Sequence, residues 1–212
     1  MWKIFMIILL ISVHSQAEEL NPWFGGTINK THTENYRGLY QAQTRFDSKG
    51  ELFEIQSRAG IIYKTGIKGL ELGGGAFFSL DPKEVKEFRP WQQIVYSREL
   101  TSIFSFKVRF RQEQRFYTQV GEYADRTRVR GVVNLKVNKY QTYLAQEFFW
   151  GWNEAKESDF KKGINQERTQ IGVKIPVAKN IIWDPSLFRI TKRGFQENTT
   201  EIIVFTGIHF NF

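Results

Sequence analysis

The chain has 212 residues, a formal net charge of +8, 16% aromatic side chains and no cysteine. That length suits one sizeable domain, and the missing thiols exclude both a disulfide framework and a thiolate metal site. With 25% charged residues it is too polar for a helical membrane protein and unusually aromatic for a solvated one.

The opening residues, MWKIFMIILLISVHSQA, set one positive charge (Lys3) before an apolar run from Ile4 to Val13, then the small residues Ser15 and Ala17. This is the form of a secretory signal peptide cut after Ala17, because about 20 apolar residues are needed for a spanning helix and this run is far shorter. Its removal takes Lys3 and leaves a charge of +7, 29 basic against 22 acidic side chains. Basic charge interleaved with rings also suits nucleic acid, but export from the cytoplasm argues against that partner.

The remainder shows no helical period. Segments of period two, the mark of strands, are expected at 36–46, 51–64, 67–80, 88–100, 102–116, 126–138, 140–152, 165–178, 180–192 and 199–212. They are longer than ordinary globular strands, and strands crossing a bilayer at a tilt need about 9–11 residues. Short turns at Thr65-Gly66, Leu100-Thr101, Asn138-Lys139 and Ala178-Lys179 alternate with longer polar connections, DPKEVKE, YTQVGEYAD, NEAKESDFKKG and RGFQEN. Bacterial outer-membrane barrels have such asymmetry and an even strand count. The expected fold is therefore an all-β, antiparallel up-and-down transmembrane barrel of ten strands, with twelve as the alternative. Its expected division is a signal peptide at 1–17, a periplasmic or lumen-entering segment at 18–34, and the barrel at 35–212. NPWFGGTINK, at 21–30, would be an eleventh strand and is set aside because it breaks the even count.

Parity sorts the faces. In FKVRFRQEQRF, Phe106, Val108 and Phe110 oppose Lys107, Arg109, Arg111, Glu113 and Arg115. Strand alternation makes one such face greasy and the other charged. A water-soluble barrel would turn the charges outward, whereas an outer-membrane barrel turns them into its lumen. Trp91, Trp150, Trp152, Phe46, Phe78 and Phe116 at the loop ends, with Tyr36, Tyr63, Trp183, Phe104, Phe210 and Phe212 at the turn ends, fit two interfacial girdles. The final strand, EIIVFTGIHFNF, ends on the aromatic Phe212, as a strand read by the outer-membrane assembly machinery does. Outer-membrane lipid and that machinery are the expected partners; nothing sets an oligomeric state.

The stretches WQQIVYSREL, FKVRFRQEQRF, RTRVRGVVNL, AQEFFW and INQERTQIGVKI, in that order, resemble a bacterial family of uncharacterised outer-membrane barrels, domain of unknown function 2490. The resemblance covers most of the mature chain and implies a Gram-negative outer-membrane barrel. It brings no established activity and no catalytic residues.

The chain itself offers little chemistry. His209 faces the lumen by parity, with Asp184 at similar height on the next strand; a general base oriented by a carboxylate would look like this. No serine is placed to complete it, so the pair reads as a structural hydrogen bond. The GGG at 73–75 lies within a strand and lacks the Lys-Ser/Thr of a phosphate loop, NEAKESD reads as a solvated loop, and no metal or cofactor is expected. What remains is a lumen carrying Arg58, Arg109, Arg111, Arg115, Arg128, Arg130 and Arg168 beside Glu54, Glu113 and Glu147. The first expectation is a salt-bridged structural filling. The second is a narrow anion-favouring pore, and a lipid-modifying enzyme is the third.

Overall fold

The structure, a computed structural model, describes residues 20–81, 85–156, 158–194 and 198–212. The expected signal peptide lies outside the described residues. Eleven strands form: β1 (Leu20–Thr31), β2 (Tyr36–Phe46), β3 (Leu52–Lys64), β4 (Leu70–Leu80), β5 (Val85–Glu99), β6 (Phe104–Tyr117), β7 (Glu122–Val137), β8 (Tyr140–Gly151), β9 (Gly163–Ala178), β10 (Ile181–Arg193) and β11 (Asn198–Asn211). Each pairs antiparallel with its neighbours in sequence, and β1 closes the barrel by pairing in parallel with β11.

This closure corrects both the ten-strand and the twelve-strand expectation. It also moves most of the 18–34 segment, read as periplasmic or lumen-entering, into the wall. An even count is required only when the closing pair is antiparallel; a parallel pair closes an odd one. Gly25, Gly26 and Gly207 lie at that seam, with Gly25 opposite Gly207. The ring of Phe205 lies over both Gly25 and Gly207, where a Cβ would crowd it.

The loop asymmetry is also narrower than expected. Residues 85–87, 117, 122–125, 193 and 198 of DPKEVKE, YTQVGEYAD and RGFQEN belong to strand ends, and the longest connection between strands is that between Gly151 and Gly163. That loop carries a small bridge between Ala155 and Phe160. Phe160 is buried with Ala124 and Ala155 at this end of the barrel.

Alternation sets inside from outside. On β6, Val108 and Phe110 are 43% and 48% exposed, while Arg111 and Glu113 are 2% and 0% exposed. The outer surface is correspondingly apolar, with Ile61, Ile94, Leu144, Ile171 and Val204 all exposed on alternate positions. Several outward polar side chains satisfy one another across strands: Gln92 with Gln114, Gln112 with Thr127, and Gln146 with Thr169. Arg189, outward between Thr169 and Ile202, is an exposed exception.

Aromatic belts lie at both ends. Phe78, Phe88, Phe116 and Tyr123 run in sequence near the loop end, and Tyr36–Tyr63, Tyr96–Phe106 and Phe210–Phe212 pair near the turn end. Trp91 is not in either belt. It is 1% exposed inside the barrel with Leu39, Ile62 and Phe77, because Gly60 leaves the space its ring occupies.

Candidate functional site: the lumen

Strands β5 to β8 carry an arginine–glutamate lattice on their inner faces. Glu87 accepts from Arg89 at 2.5 and 3.0 Å and from Arg115 at the same two distances. Glu113 is held by Arg126 at 2.5 Å and Arg128 at 2.7 Å, with Arg89 at 3.5 Å and Arg111 at 3.8 Å. Glu147 is held by Arg109 at 2.7 Å and Arg128 at 2.9 Å, with Arg130 at 3.9 Å. Arg89 and Arg128 thus link three glutamates into one lattice. Charge-assisted, multidentate contacts of this kind are the strong class of hydrogen bond, and a dry wall makes an unmatched member costly.

The lattice leaves positive charge over, since three carboxylates serve seven arginines. Rings take part of the load by lying under guanidinium groups: Arg128, Arg126 and Arg168 over Phe149 at 4.6, 5.0 and 4.8 Å, Arg89 over Phe77 at 4.2 Å and Arg111 over Trp91 at 4.8 Å. Arg111 otherwise donates to Gln93, and its second terminal nitrogen has no hydrogen-bond partner.

Arg58 on β3 and Arg168 on β9 have no carboxylate within ion-pair distance among the described residues. Arg58 donates to the Gln41 amide oxygen at 2.9 Å, and Arg168 meets the Gln166 amide. Both lie close enough to Arg128 for their charges to repel. Arg128 from β7 and Arg168 from β9 share the ring of Phe149, so two guanidinium groups lie side by side there.

The opposite wall differs. Trp23, Ile190 and Ile203 are buried together, with Phe188 and Phe205 packed against them. Arg45 lies over the Trp23 ring at 3.9 Å and pairs with Glu54 at 2.7 Å, and Ser79 donates to the other Glu54 oxygen. Nearer the turn end a polar chain runs from Arg130 to the Gln170 oxygen, from the Gln170 amide to Tyr143, and from Tyr143 to Asp184 at 2.8 Å. His209 Nε2 lies 3.1 Å from the other Asp184 oxygen. Ser186 in this chain accepts a hydrogen bond from Gln170, and among the described residues His209 has Asp184 as its side-chain hydrogen-bond partner.

Between these walls lies a cavity of about 1660 Å³. Its lining extends from Asp47 and Asp159 near the loop end to Lys68 and Glu99 near the turn end, so the lumen is not filled by side chains. Arg58, Arg109, Arg115, Arg128, Arg130, Arg168 and Glu54 line it, while Arg111, Glu113 and Glu147 are buried in the wall behind. Among the described residues no group of three or more His, Cys, Asp or Glu could hold a metal ion.

Sequence reasoning left out Arg45, Glu87, Arg89 and Arg126 as site residues. The Trp23–Arg45 contact depends on β1 being part of the wall, which an even strand count excludes. The strand expected at 88–100 begins three residues earlier, at Val85, and contains Pro90, a residue that argues against a central strand. Starting it at Val85 aligns Glu87, Arg89, Trp91 and Gln93 on one parity.

Residues 20–196 match the family described as protein of unknown function, DUF2490. The chain belongs to that family. No curated protein matches the sequence of this DUF2490 barrel. Among solved structures it is similar to a NanC porin in a rhombohedral crystal form, at 11% identity and a TM-score of 0.63, covering 91% of this chain and 98% of the porin. A structure from work on in-meso crystallisation of membrane proteins shares 14% identity, with a TM-score of 0.40 over 82% of this chain and 71% of its own. At such identities the likeness to the porin is one of fold.

Proposed function

We propose that this DUF2490 barrel is an integral outer-membrane protein whose lumen passes small anions. The membrane reading is supported by the apolar outer face, the cross-strand pairing of outward amides and the two aromatic belts, since hydrocarbon satisfies no polar group and rings favour headgroup depth. Lipid is then the partner of the outer face, and the strand ending near Phe212 is what the assembly machinery engages.

The anion reading rests on one observation: the cavity is lined by fifteen lysine and arginine side chains against seven carboxylates among the described residues. Within that excess Arg58 and Arg168 have no carboxylate within ion-pair distance among the described residues, and Arg168 shares the Phe149 ring with Arg128. Rings of one charge sign in a pore set ion preference. The reading is non-catalytic, and the His209–Asp184 pair serves as a structural hydrogen bond.

Purified protein is expected in the outer-membrane fraction, with heat-modifiable migration on gels and discrete current steps in planar bilayers. Folded protein that stays electrically silent over a wide voltage range would remove the pore reading. A soluble fraction without heat-modifiability would remove the membrane reading.

A further inference from the structure

The lumen's two walls differ in a way that charge alone does not explain. Arg45 from β2 and Arg168 from β9 both approach the Trp23 ring, at 3.9 and 6.0 Å from its centroid. Phe188 stands 6.2 Å from Trp23, and Phe205 meets Phe188 edge-on at 5.9 Å. All five side chains line the cavity. The Trp23 indole N–H and the Gln43 amide nitrogen beside it on the paired strand are buried without acceptors. Two cations, three rings and two unused donors therefore lie on one stretch of the lumen wall.

A bare inorganic anion uses the cations and the N–H donors but leaves the rings without a partner. We infer that this stretch is a binding site for aryl carboxylates: the carboxylate pairs with Arg168, which has no carboxylate of its own among the described residues, and the ring rests against Phe188 and Phe205. Arg45, already held by Glu54 at 2.7 Å, adds attraction without being the primary anchor. Aromatic pairs in offset or edge geometry attract beyond the area they bury, and planar guanidinium matches a carboxylate with two parallel hydrogen bonds. The glycines under Phe205 let its ring lie close to the wall, which keeps the passage open beside it.

This inference rests on the anion reading of the same lumen, so its test uses equilibrium binding, which does not require conduction. Benzoate and acetate are titrated calorimetrically into the full folded protein in detergent. Benzoate is expected to bind at least tenfold more tightly than acetate. Phe205→Ala is expected to bring benzoate down to the level of acetate and leave acetate unchanged, and Arg168→Gln to weaken both. Phe188→Leu, which keeps an apolar side chain, serves if Phe205→Ala fails to fold as judged by heat-modifiability, and is expected to lower benzoate affinity alone. Equal affinities for benzoate and acetate, or benzoate binding unmoved by loss of the ring, overturn the site. Benzoate binding with this pattern in a barrel that is silent in bilayers upholds the site and sinks the pore reading separately.

Discussion

Arg128 reaches Glu113 at 2.7 Å on one side and Glu147 at 2.9 Å on the other, so one guanidinium on β7 bridges the carboxylates of β6 and β8. The three strands are thereby fastened through their inner faces as well as through their backbone ladders.

Glu113 is the member whose loss should cost most, because Arg89, Arg111, Arg126 and Arg128 all approach it and it is fully buried. Removing one partner of a buried pair leaves uncompensated charge and typically costs about 3–5 kcal/mol. Glu113→Gln keeps the size, so its effect isolates charge. A fall of that order in urea unfolding of barrels folded into lipid vesicles is expected, and an unchanged midpoint would mean the lattice contributes nothing to stability.

The parallel seam predicts a cross-link. Gly26 and Ile208 are register partners on β1 and β11; Ile208 points outward and a Cβ at position 26 would meet open space, so a Gly26→Cys/Ile208→Cys double variant should form a disulfide under mild oxidation. Cα atoms about 4.4–6.8 Å apart suit that bond. Persistent free thiols at both positions would show that β1 is not part of the wall.

Arg189 points outward beside Ile202 on the neighbouring strand, where an arginine is unfavourable in hydrocarbon. Replacement by leucine should stabilise the lipid-embedded barrel by up to ~2–4 kcal/mol if Arg189 sits at the bilayer midplane, and by less nearer an interface. Destabilisation on the same measurement would indicate that Arg189 has an anionic partner on the outer surface.

Most of the wall was legible because alternation is a local property. The parity of Arg109, Arg111, Glu113 and Arg115, or of Arg126, Arg128 and Arg130, follows from adjacent residues alone. Two features were hidden for a physical reason. NPWFGGTINK is readable as a strand, but its place in the wall depends on a parallel pairing with β11, at the far end of the chain, and that pairing is what lets an odd count close. Its place near a strand end suggests a girdle for Trp91, but its orientation depends on Gly60, two strands away, leaving room inside. The pairing of each arginine was likewise out of reach. Which guanidinium meets Glu147 depends on the register between β7 and β8 and on the next pair outward, and the excess over Arg58 and Arg168 emerges only once those pairings are made.

The central claim is that this uncompensated charge selects anions. Its most direct test is the reversal potential of single barrels in a planar bilayer under a tenfold potassium chloride gradient. The account predicts the sign set by chloride, and a shift towards zero when Arg58 and Arg168 are both changed to glutamine. A reversal potential with the sign set by potassium, or one that the double substitution leaves unmoved, would contradict it.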